Sequence, residues 1–359
     1  RGIKMKVIFF CGDKSRYGMA HLKPLLESRF TVSKVIIPAQ ERWRIFQRQL
    51  LGERYYSEKN AVRWNLKSLI KAIFPQKILN IIRSIVPNNN GLKGENAKNI
   101  CRQSNVPMEV VFDVNDDKFC NDLKKEGCDL IISAAYPQIF KENLLNIPSK
   151  GAVNFHPSAL PRCRGAHPHY WALATGEQYG GITAHFMTER LDAGNIIAQI
   201  TFDISSYSYT EYYDRIIEET PKLVNKVEDY FFNNETKSIP QNSEDSTFFR
   251  EDREIHHRIF WNLHDSKKIY NLVRAGNAFF FLRGHKIIIS KAYISSSNRN
   301  ITNNVIVESG TVVDFLQDSV VIQTLSGFIN IQEVNINGKK LSWRRWSDEY
   351  KIRIGLKME

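Results

Sequence analysis

The sequence predicts an α/β fold, with an N-terminal parallel sheet flanked by helices followed by a smaller C-terminal β-barrel domain. Two observations carry this. Between residues 7 and 133, short apolar runs alternate with helical patterns, as a parallel sheet with crossover helices requires. From about residue 287 the texture changes to closely spaced β-type runs separated by turn signals, the pattern of a small barrel.

Each element follows in order. Val7-Ile8-Phe9-Phe10-Cys11 is a continuous apolar run of buried-strand type. Gly12 follows, then a helical pattern over 19–28 and a second strand over 32–37. Asn88-Asn89-Asn90-Gly91 reads as a loop. A strand over 109–112, a helix over 117–126 and a strand over 129–133 complete a Rossmann-like domain. No G-x-G-x-x-G follows the first strand, so a nicotinamide or flavin cofactor is disfavoured. Further strands are expected at 152–155 and 182–187. The polar stretch 233–245, with Pro240 and several Asn and Ser residues, reads as a linker. Beyond it lie β-type runs at 287–289, 305–307, 311–313, 320–322 and 328–331, with Ser309-Gly310, Ser326-Gly327 and Asn337-Gly338 as turns. The expected organisation is a catalytic domain over 5–232 carrying a basic insert at 41–100, a linker over 233–250, and a helix plus small OB-like barrel over 251–359.

The bulk composition narrows the function classes. The chain has 359 residues, 42% hydrophobic and 25% charged. That length suits two domains, each able to bury a core. The longest apolar stretches, such as 278–282, fall far short of the roughly 18 residues that cross a bilayer, so no membrane span is expected. Asp13, Lys14 and Arg16 interrupt the first apolar run before a signal-like core forms. Arg1 is not an initiator residue, and Met5 is the expected native start. Five cysteines (Cys11, Cys101, Cys120, Cys128 and Cys163) form no C-x-x-C pair, and their odd number closes no complete disulfide framework. A reducing, cytoplasmic setting is expected.

The net charge is +12, which favours a phosphate-bearing partner. More than half of it sits in residues 41–84, where ten basic residues face three acidic ones. There Val62, Leu66, Leu69, Ile70 and Ile73 recur at helical spacing, with Arg63, Lys67 and Lys71 along another face and Pro75 ending the pattern. This reads as an amphipathic basic helix. Both a solvated face and a phosphate, RNA or lipid contact fit it.

The chemistry concentrates between Gly151 and Gln199. If 152–155 is a strand, Asn154 and His156 project in the same direction, and Pro157 places both at the strand's C-terminal end. That edge is where open α/β sheets bind ligands. A strand over 182–187 runs into the turn Leu191-Asp192-Ala193-Gly194, which can return a carboxylate beside the imidazole. An amide, an imidazole and a carboxylate together suit acyl transfer, the amide as an oxyanion donor and the imidazole as a proton carrier. Taken singly each signal is weak: a His after a strand is commonly structural, and Asp in D-x-G is ordinary turn chemistry. His167, His169 and His185 raise the question of zinc, but no H-E-x-x-H or paired-Cys pattern accompanies them. No G-x-S-x-G elbow appears either.

Together, the pattern Asn-x-His-Pro-Ser-x-Leu-Pro-x-x-Arg-Gly, followed by Gly-x-Thr-x-His and Asp-x-Gly-x-Ile-x-x-Gln, resembles the formyltransferases that use 10-formyltetrahydrofolate. The resemblance covers Met5 to about Phe232, and the C-terminal barrel more loosely resembles the second domain of the tRNA and some sugar enzymes. It implies a catalytic set of Asn154, His156 and Asp192, with Asn154 and protonated His156 facing a tetrahedral oxyanion and Asp192 assisting proton movement. It also implies 10-formyltetrahydrofolate as formyl donor, held at Tyr136, Gln138, Ile139 and Phe140 and at Arg190 and Leu191. For Ile139, Phe140 and Leu191, core packing is the competing reading.

The acceptor is less directly written. The family's tRNA enzymes usually carry His-Gly-Ser after the catalytic Asn and an apolar residue where this chain has His185. His-Pro-Ser and His185 are closer to the purine and sugar enzymes, and the purine enzymes normally lack a C-terminal domain. The resemblance therefore implies formylation of a nucleotide-linked amino sugar, a deoxysugar destined for surface polysaccharide such as lipopolysaccharide O-antigen, with a dTDP-sugar among the candidates. Methionyl-tRNA formyltransferase is the alternative, with tRNA as partner. For the C-terminal domain, substrate orientation, nucleic-acid recognition and a homodimer interface all stay open. Phe279, Phe280 and Phe281 are expected in its core.

Overall fold

The apolar run that opens the chain is the centre of the first sheet. In a computed structural model, which describes residues 4–39, 96–233, 237–294 and 307–359, strand β1 (Met5–Cys11) pairs in parallel with β2 (Phe30–Pro38) on one side and β4 (Leu130–Ala134) on the other. β3 (Met108–Val111) extends the order to β3-β2-β1-β4. Ile8, Phe9, Phe10 and Ile132 are buried completely, which is why these runs lack polar alternation. The basic insert, with the amphipathic helix expected in it, lies outside the described residues, apart from its last positions, 96–100.

The chain divides into two units, residues 1–153 and 154–359. In the first, helix α1 (Arg16–Glu27) starts three residues before its apolar pattern, because the Ser15 side chain accepts from the Gly18 backbone N–H at 3.1 Å. A Cβ on Gly18 would meet the Cys11 Cβ at 2.9 Å, so glycine lets α1 lie close on β1. Helix α2 (Ala97–Gln103) follows the undescribed stretch. Helix α3 (Asp117–Glu126) is capped by Asp116, carries Asp117 in its first turn and Lys124 and Lys125 in its last, and so complements its own dipole. The short helix α4 (Glu142–Leu145) precedes β5 (Ala152–His156), the strand that carries the chain from one unit to the next.

In the second unit, β7 (Tyr179–Phe186) and β8 (Ile196–Asp203) form an antiparallel pair, with strand order β5-β7-β8. The two-residue strand β6 (Arg164–Gly165) pairs in parallel with β9 (Phe248–Phe249). Helix α5 (Pro168–Thr175) lies between β6 and β7, and the 25-residue helix α6 (Tyr209–Asn233) follows β8.

After the short helix α7 (Glu254–His257), helix α8 (Ser266–Ala275) packs on α5. Lys268 Nζ donates to the Ala174 carbonyl, and the buried Arg274 donates to the carbonyls of Ile204 and Tyr207. The C-terminal sheet then comprises β10 (Phe279–Leu282), β11 (His285–Ile294), β12 (Val312–Phe315), β13 (Val320–Gln323), β14 (Phe328–Ile336) and β15 (Lys339–Ser342). All its pairings are antiparallel, in the order β10-β11-β14-β13-β12 with β15 on β14. Register shifts at Lys291 bend β11, and helix α9 (Trp343–Tyr350) inserts the fully buried Trp346 against Phe280. Phe279 and Phe280 are core, as expected, whereas Phe281 is only partly buried. Asn337-Gly338 makes the tight β14–β15 turn with φ of 52° and 86°. The strand expected at 305–307 falls mostly outside the described residues. Among those described, no helix is long and apolar enough to cross a membrane.

Candidate active site

Strand alternation places Asn154 and His156 on one face of β5, and the turn after β7 brings Asp192 to them, all within the second unit. His156 Nδ1 lies 3.6 Å from Asp192 Oδ2, and His185 Nε2 lies 3.5 Å from Asp192 Oδ1. Asn154 Nδ2 lies 3.3 Å from His185 Nε2. His156, His185 and Asp192 are all buried. The three residues read from the motif are thus joined by a fourth, His185, which presents one nitrogen to both the amide and the carboxylate.

Backbone groups fix the roles of the rings. His185 Nδ1 sits 2.8 Å from the Phe186 carbonyl, so it carries the proton, and in the neutral ring Nε2 is free to accept from Asn154. His156 Nε2 sits 3.0 Å from the Cys163 carbonyl, which assigns its proton in the neutral ring to Nε2 and leaves the Nδ1 lone pair facing Asp192. Burial pushes the His156 pKa below its ordinary value of 6.5, partly opposed by the Asp192 charge and the Cys163 carbonyl. The free ring therefore holds its proton less readily than an ordinary imidazole. Burial opposes ionisation of Asp192 as well, but the two imidazoles whenever they are protonated, and the Gly165 N–H, which donates to Oδ2 at 2.9 Å, hold it well below the usual carboxylate range.

Other letters of the motif hold the loop that supplies the Cys163 carbonyl. Thr183 donates to the Ser158 carbonyl at 2.7 Å and accepts from Leu160 N–H, while Gln199 donates to the Leu160 carbonyl and to Thr183 Oγ1. Ser158 closes the loop on the Arg162 carbonyl. Gly194 permits the turn after β7, since a Cβ there would meet the Phe186 carbonyl oxygen at 2.0 Å.

Residues 237–250, expected as a linker, are bonded to the same loops. Thr247 Oγ1 accepts from Cys163 N–H, β9 pairs with β6, and Ile239 and Ile196 exchange two backbone hydrogen bonds of 2.8 Å. Gln241 bonds the Asp192 turn and Arg164 together. No sequence pattern marked these contacts. Arg190 and Leu191 lie exposed at the start of the turn, Leu191 being 41% exposed.

The remaining expected ligand residues lie in the first unit. Gln138 is buried, accepting from Val114 N–H at 3.0 Å and donating to the Phe112 carbonyl at 2.7 Å. Phe140 is core, edge-on to Phe10 and Tyr136. Tyr136 also packs on Phe10, its buried hydroxyl has no hydrogen-bond partner among the described residues, and burial raises its pKa. Ile139, 60% exposed, is the one apolar side chain of this stretch turned outward. The loop therefore divides between Gln138 and Phe140, which hold the fold, and Ile139, which is available to a ligand.

Comparison with known proteins accords with this arrangement. A formyl transferase family model matches residues 95–227, and a formyl transferase C-terminal domain model matches 254–350, together more than half of the chain. The methionyl-tRNA formyltransferase of Alkaliphilus oremlandii is 29% identical over 241 residues, which are 66% of this chain and 76% of that protein. The bifunctional polymyxin resistance protein ArnA of Wigglesworthia glossinidia brevipalpis is 32% identical over 196 residues, 53% of this chain and 30% of its own length. Among solved structures, the sugar 3N-formyl transferase WlaRD, 17% identical, superposes with a TM-score of 0.58, covering 94% of this chain and all of its own. An N-formyltransferase from Helicobacter canadensis does the same at 17% identity, covering 92% and 99%. With both domain models matched in sequence order and the motif residues gathered at one strand end, the chain belongs to the formyl transferase family and is a formyltransferase.

Proposed function

We propose that this formyltransferase moves a formyl group from 10-formyltetrahydrofolate to the amine of a nucleotide-linked amino sugar, with Asn154, His156 and Asp192 as its catalytic residues. The observation that carries the acceptor is His185. Where the tRNA enzymes of the family usually have an apolar residue, this chain has a buried imidazole bonded to Asn154 and in contact with Asp192.

The reaction follows from the resting protonation states. The acceptor amine attacks the formyl carbon, forming a C–N bond and a tetrahedral oxyanion. Asn154, its amide oriented by His185, donates to that oxygen. Neutral His156 takes the proton released by the amine on Nδ1, and ionised Asp192 stabilises the resulting imidazolium. As the oxyanion collapses, the bond from carbon to N10 of the folate breaks and the proton passes to N10. Such a donor and such a proton carrier are each worth about 10²–10⁴-fold. On the donor side, Ile139, Leu191 and the backbone of the 136–140 loop are the groups we assign to the pterin. WlaRD, solved in the presence of dTDP and 5-N-formyl-THF, and the H. canadensis enzyme, solved in complex with folinic acid and dTDP-3-aminofucose, support this pairing of substrates. Five buried free thiols support a reducing, cytoplasmic setting.

Methionyl-tRNA is the second reading, favoured by the A. oremlandii relative and its 76% coverage. Steady-state assays with dTDP-, UDP- and GDP-linked amino sugars, beside charged initiator tRNA, separate the two. The sugar reading expects turnover on at least one sugar nucleotide. Formylation of the tRNA alone overturns it.

A further inference from the structure

We infer that Gln241, which lies outside the motif, is a positioning residue that sets the Asp192 carboxylate against His156 by tying the Asp192 turn to Arg164. Its amide nitrogen donates to the Asp192 carbonyl at 2.9 Å and to the Gly194 carbonyl at 2.7 Å, bracketing the turn. Its amide oxygen accepts from Arg164 Nε at 3.0 Å and Nη2 at 2.7 Å. Arg164 is the neighbour of Gly165, whose N–H holds Asp192 Oδ2, and of Cys163, whose carbonyl accepts from His156.

One side chain therefore joins the loop that orients the imidazole to the turn that carries its carboxylate. Both ends need the join. Asp192 has a φ of 52°, in the left-handed region where a non-glycine residue is held only by its surroundings. The 3.6 Å gap between Asp192 Oδ2 and His156 Nδ1 is wider than a hydrogen bond, so the pair is set by the frame and not by a bond of its own. The neighbouring backbone contacts, Thr247 Oγ1 with Cys163 N–H and β6 with β9, anchor the strap around Gln241 without touching the turn. Methionine at 241 would keep the length and lose all four bonds. Asparagine would keep the groups but draw them back by one methylene, so that both ends could not be reached at once.

The inference deepens the catalytic reading above and rests on it, but its test needs neither substrate. The readout is the NMR titration of the His156 ring in the free protein, identified by its loss in His156→Ala. The titratable groups facing that ring are Asp192, His185 and, farther off, His169. Because the Asp192 charge favours the imidazolium, displacing it lowers the pKa of the ring. In Gln241→Met the midpoint is expected to fall by about half a pH unit or more, with a smaller fall in Gln241→Asn. Asn242→Ala, which loosens only the strap's own bonds to Asp245 and to the Glu244 N–H, is expected to leave it unmoved. An unchanged midpoint in folded Gln241→Met overturns the inference, as does one in Gln241→Asn should the methionine variant fail to fold. Inactivity on every acceptor would count against the functional reading and leave this result standing.

Discussion

The strand-end site and the 136–140 loop both come from short runs of polar and aromatic residues, yet they use those residues in opposite ways. At the end of β5, the polar side chains of Asn154, His156, His185 and Asp192 face one another in a buried cluster. In the loop, the polar side chain of Gln138 is turned onto the backbone of residues 112–114, and the outward group is the apolar Ile139. The lesson is that a motif mixes groups that do chemistry with groups that hold the backbone, and burial with named partners sorts them.

The widest separation between the two regions is expected in kcat. His156→Ala and Asp192→Asn should each lower kcat by about 10²–10⁴-fold, with substrate KM values little changed, as rapid-quench or steady-state assays would measure. An effect under tenfold for His156→Ala would remove the imidazole from the mechanism. Gln138→Ala should instead act on stability. Leaving the buried Val114 N–H and Phe112 carbonyl without their partner costs about 2–3 kcal/mol, visible in denaturant melts, and kcat should stay near wild type wherever the protein is folded.

The pH responses also differ by region. In the proposed reaction His156 acts as the neutral ring, and its pKa lies below the ordinary 6.5. The acidic limb of the kcat/KM profile that His156→Ala abolishes should therefore have its midpoint below pH 6.5. In the first unit, the buried His21 is pushed down to about 3 by burial. The unfolded chain binds that proton more readily, so stability is full above about pH 6.5 and declines by about 1.4 kcal/mol per pH unit below it. His21→Gln should flatten that decline in thermal melts without moving the kinetic profile. The smallest effect is expected from Ile139→Ala, a several-fold rise in the KM for the formyl donor with no change in melting temperature.

Much of this was legible in the sequence for physical reasons. The inner strands are buried on both faces and so appear as unbroken apolar runs such as 7–11. Asn154 and His156 are two apart on a strand that Pro157 ends, which alone puts both at the sheet's ligand edge. What escaped is carried by groups the sequence does not distinguish. The Cys163 carbonyl and the Gly165 N–H are backbone atoms that every residue possesses. Gln241 sits in a stretch whose Asn, Ser and Pro content reads as a linker, because a strap lying on a surface has the same composition as a free connection. Helix α5 follows His167, which has a φ of 50° and makes no side-chain cap, so only Pro168 at its first position marked its start. The charge that first suggested a phosphate-bearing partner lies mainly in residues 41–84, outside the described residues.

The most direct test of the central claim is a one-pot competition. Wild-type enzyme receives 10-formyltetrahydrofolate with labelled formyl, a mixture of nucleotide-linked amino sugars and charged initiator tRNA, beside a parallel reaction with Asp192→Asn, and the products are read by mass spectrometry. The account predicts label in a formamido sugar nucleotide with the wild type, almost none with the variant, and none in tRNA. Label in tRNA alone, or equal labelling by the variant, would contradict it.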